Sequence, residues 1–198
     1  ELSGLSAEAV LPFSTGVIGQ QLPIDKIIQA IPSVLQNLAE DNWFDAAHGI
    51  MTTDIVAKAI SKQIEIDGKI ITVTGMAKGS GMIRPDMATM LSYIATDAAV
   101  EQSVLDDILS RSVAQSFNRI SVDGDTSTND ACVLMATAKA NNSEINVVDS
   151  LDAQNLYQAI AEVSQFLAHA IVRDGEGATK FIAVEVEQGQ DHEECRQV

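Results

Sequence analysis

Ile64-Glu65-Ile66-Asp67-Gly68-Lys69-Ile70-Ile71-Thr72-Val73-Thr74 is the stretch that decides the fold. Apolar and polar residues largely alternate on either side of Asp67-Gly68, the pattern of two half-buried strands. An Asp-Gly pair suits a two-residue hairpin turn, whose central residues both need positive φ. Aspartate tolerates that conformation and glycine meets it at no steric cost. Antiparallel strands are therefore expected in the middle of the chain.

Helical periodicity surrounds this hairpin. Ile24, Ile27, Ile28 and Ile31 recur at helical spacing, with Pro32 expected to interrupt the run and a second helix expected from Ser33 to about Glu40. From Ala99 to Phe117 the apolar positions are Val100, Val104, Ile108, Val113 and Phe117. The longest helix is expected from Asp152 to Arg173, with Leu156, Ile160, Val163, Phe166, Leu167 and Ile171 as its buried stripe. Residues 179–187 alternate as a further strand, and residues 75–90 and 118–130 read as Gly/Met-rich and polar loops. Strands and helices lack the regular alternation of a doubly wound parallel sheet. The expected class is α+β, a layered fold of hairpin strands and long helices.

The 198 residues suit one large domain or two small ones, and 46% hydrophobic content is enough to bury a core. No uninterrupted apolar stretch of about 18 residues occurs, so no membrane-spanning helix is expected. The formal net charge of -16 opposes binding to nucleic acid and to anionic membranes. Cys132 and Cys195 lie far apart in no metal or redox spacing, which points to a reducing, cytoplasmic setting. The opening ELSGLSAEAV has no basic leader and no initiator Met, so the chain is expected to be a piece of something longer.

Four segments, the last of them in two parts, have residue types suited to chemistry. Ser14-Thr15-Gly16-Val17-Ile18-Gly19 sets hydroxyls beside glycines, so its backbone N–H groups can approach a ligand or an oxyanion, or Ser14 or Thr15 can simply cap a helix. Gly75-Met76-Ala77-Lys78-Gly79-Ser80-Gly81-Met82 lacks the Gly-Lys-Ser/Thr ending of a phosphate loop, and Arg84 stands where a dinucleotide fingerprint needs its last glycine. Lys78 is left either as a solvated loop lysine or as a partner for an anionic substrate group. In Pro85-Asp86-Met87-Ala88-Thr89-Met90-Leu91, Asp86 or Thr89 can cap a helix. Alternatively Thr89 is a nucleophile, activated by its own α-amine once the Ala88–Thr89 bond is cut.

Asp123-Gly124-Asp125-Thr126-Ser127-Thr128-Asn129-Asp130 hints at a calcium loop but places Thr128 where glycine is required and Leu134 where the bidentate glutamate is required. Its oxygens are expected to satisfy the backbone and one another instead. Asn129 or Asp130 is a candidate cap for the apolar run that follows. In Arg173-Asp174-Gly175-Glu176-Gly177-Ala178-Thr179-Lys180, Glu176 can meet an ammonium group or sit in a solvated turn. His48, His169 and His192 have no metal spacing, and no metal site is expected.

These segments, together with Met51-Thr52-Thr53-Asp54 and Asn118-Arg119-Ile120-Ser121-Val122, occur in one order along the chain. In that order they resemble the ornithine acetyltransferases, also called glutamate N-acetyltransferases, of arginine biosynthesis. The resemblance covers nearly the whole chain. It implies a layered sandwich of mixed sheets with outer helices. It also implies a precursor that cuts itself at Ala88–Thr89, so that residues 1–88 belong to an α segment and residues 89–198 to a β segment of one domain.

By the same resemblance, Thr89 is the acyl-transfer nucleophile, and Thr15 and Gly16 are the oxyanion-hole pair. Thr52, Lys78, Thr89 and Glu176 are the substrate-contacting positions. Acetyl would pass from N-acetylornithine through Thr89 to glutamate. No cofactor is implied, acetyl-CoA being an alternative acetyl donor, and the expected assembly is an oligomer of paired α and β chains. Two rival readings are a self-processing aminopeptidase or amidohydrolase, whose acyl-enzyme goes to water, and an acidic binding domain without enzymatic activity.

Overall fold

Asp67 and Gly68 both have positive φ, 54° and 67°, and close the hairpin between β1 (Lys58–Ile66) and β2 (Lys69–Lys78). The turn is the one the Asp-Gly pair predicts. The computed structural model describes residues 3–84, 90–127, 129–191 and 194–195. β3 (Leu91–Thr96) pairs antiparallel with β2, and β4 (Ala131–Ala136) pairs parallel with β3, giving one mixed sheet in the order β1-β2-β3-β4. A parallel pair needs a long crossover. Here it contains helix α3 (Gln102–Gln115). The class is α+β, as expected.

β2 runs four residues beyond the expected Thr74. Gly75 opens the segment expected to be a loop, but it lies in the strand opposite Ile60 and Ile94. The reason is a close approach. A Cβ on Gly75 would sit 2.7 Å from Val163 Cγ1 and 3.0 Å from Leu167 Cδ1. Glycine here lets helix α4 (Leu151–Arg173) settle onto the sheet.

Helices α3 and α4 cover one face of the sheet. Ile71, Val73 and Ala77 of β2 point to that side together with Ile94 and Leu134. They meet Leu156, Ile160, Val163, Leu167 and Ile171 of α4 and Val104 and Ile108 of α3. α4 is capped by Ser150, whose side chain accepts from the Ala153 N–H at 3.2 Å. Phe166 was expected in the buried stripe but is 45% exposed. It falls about 100° around the helix from Leu167, off the sheet-facing side. On the other sheet face, short helix α2 (Trp43–Gly49) buries only Ala47.

Three other expectations differ from the structure. Helix α1 (Ile24–Gln36) continues through Pro32 as one helix. Proline there forfeits its own N–H bond, and in a helix with no buried residue water can take up the freed carbonyl. The apolar run expected behind a cap at Asn129 or Asp130 is strand β4. Residues 179–187 have strand alternation but are not a strand, since no neighbouring strand pairs with them among the described residues. The proposed caps Asp86 and Thr89 lie outside the described residues, and the chain from Leu91 is β3 rather than helix. No helix among the described residues is long and apolar enough to cross a membrane.

Candidate functional site

Lys78 is the last residue of β2 and is 3% exposed. It is not a solvated loop lysine. Its ammonium donates to Thr52 Oγ1 at 2.6 Å and lies 3.7 Å from Asp54 Oδ2. Burial pulls the Lys78 pKa down, Asp54 opposes that shift, and the nearby Lys58 charge adds to it.

Asp54 organises the floor beneath this lysine. Its Oδ2 accepts from the Thr52 N–H at 3.1 Å and its Oδ1 from the Gly79 N–H at 2.7 Å. Oδ1 also accepts from the Lys58 ammonium at 2.7 Å. Burial pushes this carboxyl up. The Gly79 N–H, Lys58 and the Thr52 N–H together outweigh burial and hold it below the usual carboxylate value.

Another wall comes from the end of α4. Asp174 caps that helix, and Glu176 follows two residues later. The Glu176 N–H donates to the Ser80 carbonyl at 2.7 Å, and Thr53 Oγ1 lies 2.7 Å from Ser80 Oγ. Gly81 faces the Glu176 carboxylate so closely that a Cβ would sit 3.2 Å from Glu176 Cδ. Met82 has φ of 53°, unusual for a side chain of that size. Its N–H is tied to Asp123 Oδ2 at 2.7 Å.

These elements enclose a cleft of about 350 Å³ lined by Thr15, Gly16, Val17, Thr52, Thr53, Lys78, Ser80, Gly81, Met82, Asp123 and Glu176. Five of the predicted site residues therefore meet in one place: Thr15, Gly16, Thr52, Lys78 and Glu176. Ala88 and Thr89 lie outside the described residues. The Met90 N–H donates to Asp130 Oδ1 at 2.6 Å. Asp130 thus anchors the start of β3 rather than capping a helix. Its Oδ2 is buried without a hydrogen-bond partner among the described residues. Burial raises its pKa to about 6, against the opposing pull of the Met90 N–H and Lys78.

The Asp-rich loop gathers no group of three or more metal-ligating side chains among the described residues. Asp123 Oδ1 instead accepts from the Asp125 N–H at 3.0 Å, the local turn bonding expected of it. Sequence reasoning gave no role to Lys58, Asp54 or Asp174, and gave Asp130 only that of a cap. The one available signal was that Asp54, Asp130 and Asp174 sit inside the quoted segments. Lys58 lies outside all of them.

Fold and cleft define an α+β domain that brings a buried cation, a carboxylate and glycine-rich backbone to one small open site. The chain belongs to the ArgJ family, whose family model matches residues 1–198. It is 55% identical over 198 residues to the arginine biosynthesis bifunctional protein ArgJ of Pseudomonas syringae pv. tomato, and equally to that of Pseudomonas fluorescens. In each case the match takes in 100% of this chain and 49% of the relative. The chain spans about half the length of the curated relatives it matches. Among solved structures, it is similar to the arginine biosynthesis bifunctional protein argJ of Bacillus halodurans, with 47% identity over 46% of this chain and 43% of that one, at a TM-score of 0.44. An L-aminopeptidase D-Ala-esterase/amidase of Ochrobactrum anthropi matches at 13% identity over 64% of this chain and 43% of its own, at the same TM-score of 0.44.

Proposed function

We propose that the full-length protein is a cytoplasmic acetyltransferase of arginine biosynthesis that moves acetyl from N-acetylornithine to glutamate through Thr89. The observation that carries this reading is the meeting of Thr15, Gly16, Thr52, Lys78 and Glu176 around one cleft from four separate chain segments. Lys78 supplies a cation for a substrate carboxylate and Glu176 an anion for an ammonium. Both substrates are α-amino-acid derivatives, so one frame serves each in turn.

Thr89 Oγ first attacks the Ala88 carbonyl carbon, and the Ala88–Thr89 C–N bond breaks to leave an ester and a free amine. Water cleaves the ester, leaving an Ala88 carboxylate and an N-terminal Thr89. In the transfer reaction the Thr89 amine takes the hydroxyl proton while Oγ attacks the acetyl carbonyl. The Thr15 and Gly16 N–H groups hold the oxyanion, an interaction that removes about 2.7–4 kcal/mol from such barriers. Ornithine leaves with the proton, and the glutamate amine then takes the acetyl group from Thr89. These two half-reactions give ping-pong kinetics and need no cofactor. Acetyl-CoA is the alternative acetyl donor in this reading. The pairing of β2 with β3 across the cut supports an α segment and a β segment that stay together after cleavage, and an oligomer of such pairs is the assembly in this reading.

The test is intact mass of full-length wild type beside Thr89→Ala. Wild type is expected as two chains, the second beginning at Thr89, which stay together on native gel filtration and separate in denaturant. The variant is expected uncut. Wild type should then move acetyl from N-acetylornithine to labelled glutamate. Release of free acetate in place of transfer would instead favour a hydrolase, and an uncut, inactive wild type would remove the reading.

A further inference from the structure

We infer that Lys58 is a positioning residue of the cleft, which it does not line: it ties the Lys78 wall to the Glu176 wall and keeps the Lys78 ammonium on Thr52. Lys58 opens β1 and is 2% exposed. Its ammonium donates to Asp54 Oδ1 at 2.7 Å, to Asp174 Oδ2 at 2.5 Å and to the Val56 carbonyl at 3.3 Å. All three ammonium hydrogens thus have acceptors, so Lys58 has no donor left for a substrate.

Each carboxylate it holds belongs to a different wall. Asp54 fixes Thr52 and Gly79 through their N–H groups, on either side of the Lys78–Thr52 contact. Asp174 receives the Ile55 N–H at 3.0 Å and the Val56 N–H at 3.4 Å, two residues before Glu176. Lys58 is therefore the shared cation between the turn carrying Thr52 and the helix end carrying Glu176.

Four of the charges here balance one another, with Asp130 a further carboxyl group acting on Lys78. Lys58 and Lys78 face Asp54 and Asp174, all four buried. Without Lys58, two buried carboxylates are left with one cation. Lys78 lies 3.7 Å from Asp54 Oδ2 and is the nearest replacement. A buried, uncompensated carboxylate attracts it strongly. Lys78 would then turn from Thr52 Oγ1 towards Asp54, away from a substrate carboxylate.

This inference rests on the acetyl-transfer reading for its kinetic test and not for its structural one. In full-length Lys58→Met, the KM for N-acetylornithine and for glutamate is expected to rise about tenfold or more, while kcat per cleaved enzyme falls by less than about threefold. A residue needed only for folding would lower the cleaved fraction and leave the KM of the remaining enzyme unchanged, which would overturn the inference. Asp174→Asn keeps an acceptor for the Ile55 N–H and removes one charge. It decides the same quantity if the methionine variant does not fold, with a KM rise expected and an unchanged KM overturning the proposal. A crystal structure of either folded full-length variant is the second readout. Lys78 Nζ is expected closer to Asp54 than to Thr52 in Lys58→Met; in Asp174→Asn, where the two ammonium groups share Asp54 as their remaining buried carboxylate, it is expected further from Thr52. An unmoved Lys78 overturns the inference even if wild type transfers no acetyl, which would count only against the acetyl-transfer reading.

Discussion

The Met90 N–H donates to Asp130 Oδ1 across 2.6 Å, while the second oxygen of the same carboxylate is buried without a partner among the described residues. One half of this group thus anchors the start of β3, and the desolvation of the other is only partly offset by the Lys78 charge. Burial accordingly raises its pKa to about 6. A raised carboxyl pKa favours the folded state most below the unfolded value, and that contribution is lost as pH rises through about 6. Asp130→Asn keeps the acceptor for Met90 and cannot ionise. The melting temperature of the variant minus that of wild type is expected to increase between pH 4 and pH 7. Thermal melts across that range measure it, and a difference that stays constant would show that Asp130 does not titrate there.

Lys78 and Glu176 line the same cleft with opposite charges. Charge-assisted hydrogen bonds contribute about 1.5–3 kcal/mol each, so Lys78→Ala and Glu176→Ala should each weaken substrate binding about 10- to 100-fold. Calorimetric titration with N-acetylornithine and glutamate is the check. Unchanged affinities in both variants would sink this division of roles.

Gly81 governs the room left for Glu176. An added Cβ would lie 3.2 Å from Glu176 Cδ and 3.3 Å from Oε1, in tight contact with the end of an exposed side chain. Such a side chain can move at little cost in stability. Gly81→Ala should therefore leave the melting temperature nearly unchanged while raising KM by about threefold to tenfold, because Glu176 is displaced from its ligand-facing position. A fall in stability with unchanged KM would contradict this.

Gly75 is the opposite case. Its missing Cβ is filled by Val163 and Leu167 of α4, with 2.7 Å to the nearer methyl carbon. Neither side chain has free space, since both are buried in the core. Gly75→Ala should destabilise the fold by about 1–3 kcal/mol through overpacking. Urea unfolding of the full-length protein measures the loss. A variant as stable as wild type would mean that α4 can shift without penalty.

The hairpin, the long helix and the α+β class were legible in the sequence because they rest on local rules. Asp67-Gly68 dictates its own turn, and the spacing of Leu156, Ile160, Val163 and Leu167 dictates a helix whichever surface it meets. The six ordered segments likewise marked Thr15, Gly16, Thr52, Lys78 and Glu176 before any fold was known. Local pattern could not assign Gly75 to a strand, because its reason is a helix 88 residues away in sequence, at Val163. β3 and β4 were missed for a related reason: both are short, and their pairing is non-local. Lys58 shows the limit most clearly. Its role depends on Asp54 and Asp174, four and 116 residues distant, converging on one buried ammonium. Only tertiary structure brings those charges out of water together, and the desolvation that follows makes each one depend on the others.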